Sequence, residues 1–551
     1  MNMQPLASPI ARAGLGFLAV VIASVACAAD GPALGYRGDG SCVAPDAKPP
    51  LRFDVASGQN VLWKSPLPNW GLGCPVVVRD RVVVMSEPDR DHDFPVLLCF
   101  DAATGRLLWQ RELDAIALMG PADARLTEAR KAWHDHLVAL RLLYRMRHVA
   151  RTAPRDEASR VLEQNGCEFA ESGAVGWKGD GSKRGGRIDV NLARTFNRVG
   201  LYFDVWHLGG LGRIGYGYPT PVTDGQFVYV ATGQHVFACF DLEGKVRWQS
   251  FVRGQDTSNA GYGGNDFCKN ARSPLLHGDL FISDVGNVVR AFDKRTGQLL
   301  WSDKIFAGHA EIVSPVVIRS AGRDVLMTFG INAYLLPEGR KLKVEGWANH
   351  GGTMLVKSDE RDVVFFTGGG EHGGWENKGN SDHPPPAAVK FTLEGDALKA
   401  TVLWAGIEGK SSGERHTGIV YHGGKLYHPG GCILDAATGK MLGGAHRGRV
   451  RATPQTRHLT WIAGGHVYGL IDTHKGRDGP AIGLCEVYAL DGNKVAENAI
   501  PLPQHDAAKT ERIIEAVGGP QWGFSYGCPF LISGSRIYIR SNDLLYCIGE
   551  K

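Results

Sequence analysis

The chain has 551 residues, of which 43% are hydrophobic and 21% charged, and its formal net charge is +4. That length calls for several domains or one long repeat array, and so small a positive excess excludes a global nucleic-acid footprint. The 73 glycines favour many turns and short strands.

Residues 1–29 read as an export signal. Arg12 supplies the positive end, LGFLAVVIASVA the apolar run, and ACAAD the small residues for cleavage after Ala28 or Ala29. Cys27 in SVAC opens a second reading, a lipid anchor, although Ser24 stands where such boxes carry Leu; a buried N-terminal helix is the third. No later segment is apolar enough for long enough to cross a bilayer. A periplasmic or secreted location is expected, with peripheral or lipid attachment left open.

The stretch FDVASGQNVLW at 53–63 is the first copy of a recurring phrase. The others are CFDAATGRLLW (99–109), CFDLEGKVRW (239–248), AFDKRTGQLLW (291–301) and ILDAATGKML (433–442). Alternating apolar residues before the Asp make a strand, Asp-x-x-Thr-Gly makes a tight turn, and a further strand carries the Trp. Upstream of each phrase lie a small residue, usually Pro, and two apolar runs joined by a Gly-containing turn, as in PVTDGQFVYVATG and PLLHGDLFISDVG. Four strands in about 40 residues is the size of a propeller blade.

Openings at Cys74-Pro75, Thr220-Pro221, Ser273-Pro274, Ser314-Pro315, Thr453-Pro454 and Cys528-Pro529, with degenerate ones at 351–356 and 415–420, give eight blades. They fall at 74–113, 216–252, 271–305, 311–347, 351–404, 414–442, 449–502 and 521–551. The last lacks a fourth strand, and 51–63 is a fourth strand without the first two, so the termini complete one blade and leave no open edge. The expected fold is all-β: an eight-bladed propeller of four-stranded antiparallel blades, closed by N- and C-terminal strands. Its parts are a signal at 1–29, a closing strand and first blade at 50–113, a helical and loop insertion at 114–213, and the remaining blades at 214–551.

In the insertion, 121–150 reads as a helix with Leu126, Trp133, Leu137, Leu140 and Tyr144 on one face. Arg130, Lys131, Arg141, Arg145, Arg147 and Arg151 occupy the rest. A cap packed on the propeller and a docking face for an acidic partner or lipid headgroup both fit that pattern.

Residues preceding each first strand should rise toward one mouth of a central channel. They are Trp70, Tyr218, Asn270, Arg272, His309, Glu311, His350, His416, Arg451 and Trp522. Aromatics beside His, Glu and Arg suit a flat, anionic or metal-bridged ligand; solvated loop tips are the alternative. Glu371, His372, Glu376, Asp382 and His383 form a second polar cluster, but their spacing matches no established metal loop, and Gly, Asn and Pro around them fit a surface excursion. No metal site is assigned. The eleven cysteines include no CxxC, so no zinc ribbon, thioredoxin-type pair or CxxCH haem site is written. Cys99, Cys239 and Cys547 share one strand position, which favours packed thiols. Cys74 and Cys528 are equivalent openings, and a disulfide between them stays open as a reading.

The Ala/Cys-Phe-Asp-x-x-Thr-Gly-x-x-x-Trp phrase resembles the repeat of pyrroloquinoline-quinone-type (PQQ-like) propellers. That superfamily includes quinoprotein alcohol dehydrogenases and the propeller lipoprotein of the outer-membrane assembly complex. The resemblance covers roughly 50–113 and 214–551; the copy ending at Trp248 is one residue short and lacks Thr, and that at 433–442 lacks the Trp. One repeat serves unrelated roles. The dehydrogenases carry adjacent cysteines near the quinone and a Glu, Asn and Asp set for calcium. No Cys-Cys dipeptide occurs here, and no motif places the calcium set. The expected function is therefore a binding or scaffold module that recognises a protein partner or small ligand at the channel mouth, with no cofactor certain. The alternative is an oxidoreductase that uses pyrroloquinoline quinone and calcium, with Glu311 or a neighbouring His as base.

Overall fold

The computed structural model describes residues 34–68, 73–88, 94–119, 126–131, 133–134, 153–164, 167–169, 175–177, 216–252, 272–305, 314–328, 330–347, 354–366, 386–406, 419–427, 432–444, 457–473, 482–501, 530–541 and 544–550. Among them strands dominate; all but Val43–Ala44 and the separate pair Cys167–Phe169 and Val175–Trp177 fall into eight four-stranded antiparallel units. The first unit comprises Val76–Val78, Arg81–Ser86, Val96–Asp101 and Leu107–Glu112. The second to seventh span 222–251, 275–304, 316–345, 354–405, 420–444 and 457–501. The eighth takes Phe530–Ser533, Arg536–Arg540 and Leu544–Ile548, and Val61–Pro66 pairs antiparallel with the last of these as its fourth strand.

In the first two units the second and third strands are continuous apolar runs, such as VLLCF before Asp101 and FVYVA at 227–231, and nearly every side chain is buried. Burial on both faces of a sheet removes the usual polar alternation. Fourth strands are half exposed, as in Leu107–Glu112.

The recurring phrase is the joint between units. Asp101 Oδ1 accepts from the backbone N–H groups of Ala103 and Thr104, at 3.1 and 2.8 Å, and from the Thr104 hydroxyl at 2.8 Å. Gly105 follows at φ +74°, a left-handed conformation that costs glycine least. The same turn recurs around Asp293 and Asp435. Each turn receives the Trp of the preceding unit. Trp109 donates its indole N–H to Leu242 O at 2.8 Å, Trp248 to Lys294 O at 2.8 Å, and Trp301 to Pro337 O at 3.0 Å. Trp404 donates to Ala436 O at 2.9 Å, and Trp63, from the N-terminal strand of the eighth unit, to Ala102 O of the first at 3.0 Å.

Within its own sheet the Trp sits opposite a small residue. The pairs are Cys99 with Trp109, Cys239 with Trp248, Ala291 with Trp301 and Cys547 with Trp63. Those three cysteines are buried free thiols, which accounts for their shared position. The fourth unit ends without such a Trp. Its Lys343–Glu345 pairs parallel with Ala397–Lys399 of the fifth, so two outer edges are stitched by backbone. Units six, seven and eight share one core, which includes Val420, Tyr427, Trp461, Val487 and Phe530.

The small residues before Pro75, Pro221, Pro274 and Pro315 also act between units. Cys74 N–H donates to Thr220 Oγ1 at 3.1 Å, Thr220 N–H to Ser273 Oγ at 2.9 Å, and Ser273 N–H to Ser314 Oγ at 3.1 Å. These hydroxyls satisfy buried donors that the sheets leave over. Ser273→Ala is expected to strand the Thr220 N–H and lower unfolding free energy by about 1–3 kcal/mol. Ser273→Thr retains most of it, and urea titration of the two variants checks the difference.

In the insertion, 126–131 and 133–134 are helical as expected. Trp133 is buried and stacks on Phe94 at 4.9 Å, while Arg130 reaches Asp114 at 2.5 Å. Leu137, Leu140 and Tyr144 lie outside the described residues. A second helix, Arg155–Gln164, was not anticipated; it buries Ala158 and Leu162.

A segment before Val61–Pro66 also escaped the sequence reading. Leu34 exchanges backbone hydrogen bonds with Thr223 of the second unit at 2.9 and 2.8 Å. Arg37 Nη2 donates to Ile419 O beside the sixth unit at 2.5 Å, and Val43–Ala44 pairs parallel with Ile462 and Ala463 of the seventh. Lys48 N–H then donates to Gly534 O of the eighth at 3.2 Å. Thr223, Ile462, Ala463 and Gly534 lie near the turns between first and second strands, whereas Ile419 immediately precedes the first strand Val420–His422.

Candidate functional site

Two of the ten predicted mouth residues fall among the described residues. Tyr218 is buried beside the Thr220 opening. Arg272 is fully buried, and its Nη1 lies 3.4 Å from Asp284 Oδ2 and 3.3 Å from Asp284 O. Trp70, Asn270, His309, Glu311, His350, His416, Arg451 and Trp522 lie outside the described residues, as do Glu371, His372, Glu376, Asp382, His383 and Cys27.

Behind the first-strand openings the structure places polar groups that sequence reasoning missed. Ser86-Glu87, Ser283-Asp284 and Arg540-Ser541 sit where second strands end, and Gln234-His235 lies just before a third strand; all are buried. The signal was available, since each follows an apolar run that stops on a polar or charged residue, as in VVVMSE and LFISD.

Each of these charges is spent on the frame. Glu87 Oε1 accepts from Gly217 N–H at 2.6 Å, anchoring the entry to the second unit. Arg540 donates to Met85 O, and its Nη2 to Ser86 Oγ at 3.2 Å, joining the eighth unit to the first. Burial pulls the Arg540 guanidinium down to about 9, with Glu87 opposing. Arg290 caps Val285 O at 3.1 Å and lies over the Phe237 ring. His235 is held neutral, first by burial and then by Arg290. Its ring lies against Gly286, where a Cβ would stand 2.4 Å from Nε2.

Burial is also the main influence on Asp284, raising its carboxyl to about 6, with Arg272 pulling the other way. Unfolded, the group titrates near about 3.9. A raised folded value means that the folded state binds the extra proton, so this contribution is full below about 4 and is lost as pH rises through about 6. Asp284→Asn is expected to remove that slope, seen as a flatter difference in unfolding free energy between pH 4 and 6. Equal slopes in both proteins would contradict the assignment.

Among the described residues, no group of three or more His, Cys, Asp or Glu side chains could hold a metal ion. No helix among them is long and apolar enough to cross a membrane, which leaves β-barrels unaddressed.

A family model described as outer membrane protein assembly factor BamB matches residues 51–138 and 169–342, just under half of the chain. Its repeats are PQQ-like. Solved structures of PQQ-like and related propellers are similar to the chain. BamB from Moraxella catarrhalis is 12% identical, covering 60% of this chain and 80% of its own at a TM-score of 0.35. A europium-containing methanol dehydrogenase is 13% identical over 59% and 74%, at 0.39. Quinohemoprotein alcohol dehydrogenase from Comamonas testosteroni is 15% identical over 87% and 84%, at 0.32. No curated protein sequence matches the chain significantly.

Proposed function

We propose that this PQQ-like chain is an exported, closed eight-bladed propeller that acts as a binding or scaffold module. Its recognition surface is the mouth built from the residues that precede the first strands, and its target is a protein partner or a small ligand. Closure is supported by Trp63, which carries the eighth unit onto Ala102 of the first. Export with loss of 28 or 29 residues belongs to the same reading, and Cys27 is the position where a lipid would be attached.

The observation that carries the proposal is the engagement of the described charges at this end. Glu87 accepts from Gly217 N–H, Asp284 faces Arg272, and Arg540 caps the first unit. Charges committed to the frame make a rigid collar, from which the connecting loops rise as the recognition elements.

Pyrroloquinoline quinone with calcium requires open carboxylate and amide oxygens around a planar anion. The described carboxylates do not fit that need, because Glu87 and Asp284 are fully buried and already bonded to the protein. The test is titration of the purified chain with the quinone and calcium, followed by dye-linked oxidation of alcohols and sugars. No stoichiometric uptake and no turnover are expected. Tight uptake with turnover lost in His416→Ala or Glu311→Gln would overturn the proposal in favour of a quinone-dependent oxidoreductase.

A further inference from the structure

The N-terminal segment encloses a cavity of about 450 Å³ against the first strands of the third, fourth and fifth units. Its wall is largely apolar, with Leu275, Leu276, Val316, Val317, Met354 and Val356 as the main side chains. Its volume falls in the range of small-molecule sites. Its lining runs along those first strands, from Pro274, Ser314 and Pro315 at their openings to His277 and Arg361.

Two arginines, Arg37 and Arg361, line the same cavity. Arg37 is only 4% exposed; its Nη2 donates to Ile419 O, and among the described residues its Nε and Nη1 have no hydrogen-bond partner. A buried cation left so is costly unless an anion joins it. The nearby Cys42 thiol does not supply one, because burial raises it to about 12 against the pull of Arg37. Arg361 is exposed at the rim, and its main-chain oxygen, not its side chain, is what accepts from Arg319 N–H at 3.0 Å. Of the other charged or titratable lining groups, His277 is engaged with Asp324 at 3.2 Å. Asp39 is exposed, with Oδ1 accepting from Ser41 N–H at 2.9 Å and Ser41 Oγ at 2.5 Å. Solvent screens that carboxylate far better than the buried Arg37.

We propose that this cavity binds a small amphiphilic carboxylate, its head held by Arg37 and Arg361 and its apolar body packed along Leu275, Val317 and Met354. The head completes the donors that Arg37 leaves open, and the body removes apolar wall from water. A ligand with only one of these features loses the other contribution.

Calorimetric titration of the full purified chain with decanoate, and separately with decanol, tests the proposal. Decanoate is expected to saturate at one equivalent, and decanol to bind at least about tenfold more weakly. Arg361→Gln, a change at an exposed position, weakens decanoate several-fold while leaving decanol unchanged. Val317→Trp fills the cavity and abolishes both, with the far-ultraviolet circular dichroism retained. If Val317→Trp fails to fold, Arg361→Gln decides alone. Lack of saturation by decanoate below about 1 mM, equal binding of decanoate and decanol, or wild-type decanoate affinity in Arg361→Gln would each overturn the proposal.

Discussion

Trp248→Ala lowers the free energy of unfolding by about 3–5 kcal/mol, the range for emptying a large aromatic site. Three losses coincide there. The indole is 8% exposed and packs with Tyr229, Phe281 and Phe292; its N–H leaves Lys294 O; and its ring leaves the backbone of Gly297. The partner half of the joint is equally constrained. A Cβ at Gly297 would stand 2.5 Å from the Trp248 ring, and φ is +73°, so Gly297→Ala is destabilising on both counts. Combined in one chain, the two substitutions cost less than their sum, because both act on one contact. Urea titration of the single and double variants measures this, and strict additivity would show that the Trp and the turn do not form one joint.

A chain that begins at residue 70 loses more than any single substitution. Without Val61–Pro66 the strand Leu544–Ile548 becomes an unpaired edge, and the buried Leu545, Cys547 and Tyr538 lose the cover of Trp63. Exposed edges recruit other chains. The expected result is aggregation on expression or unfolding without a cooperative transition. A synthetic peptide of residues 51–68 added during refolding restores a soluble, cooperative protein. A truncated chain that stays monomeric with wild-type stability would show that the N-terminal strand closes nothing.

Much of this architecture was legible because it repeats. The openings before each first strand and the recurring Asp-x-x-Thr-Gly turn with its Trp made eight units legible, and a displaced fourth strand was expected at 51–63. The structure puts that strand at Val61–Pro66, with the turn around Asp54 before it. The large flat Trp suited a wedge between neighbouring blades; what the period did not disclose is the hydrogen bond its indole N–H makes to the turn of the next sheet. The small residues before Pro were equally visible as a pattern, but their hydroxyl relay from Cys74 to Ser314 depends on neighbours 41 to 146 residues apart. Segments that do not repeat were illegible. Residues 34–50 reach Thr223 and Ile462 through backbone groups, and Ile419 through the Arg37 side chain; backbone contacts leave no residue-type signal. The parallel stitch between Lys343–Glu345 and Ala397–Lys399 was hidden for the same reason. Of the candidate site, Arg272 was chosen for its position before a first strand, and the structure gives it a buried carboxylate partner, Asp284. The polar ends of the second strands differ in residue type from unit to unit, Glu87, Asp284 and Arg540 among them, so the repeat does not single them out.

The proposed binding surface is the mouth at the first-strand openings. Site-specific photocross-linking in the native host tests it most directly, with the reactive side chain placed at His350 or Trp522 and, as a control, at Gln110 on an exposed outer strand. The prediction is a discrete adduct from the two mouth positions and none from Gln110. Adducts from Gln110 alone, or none from either mouth position in folded protein, would contradict it.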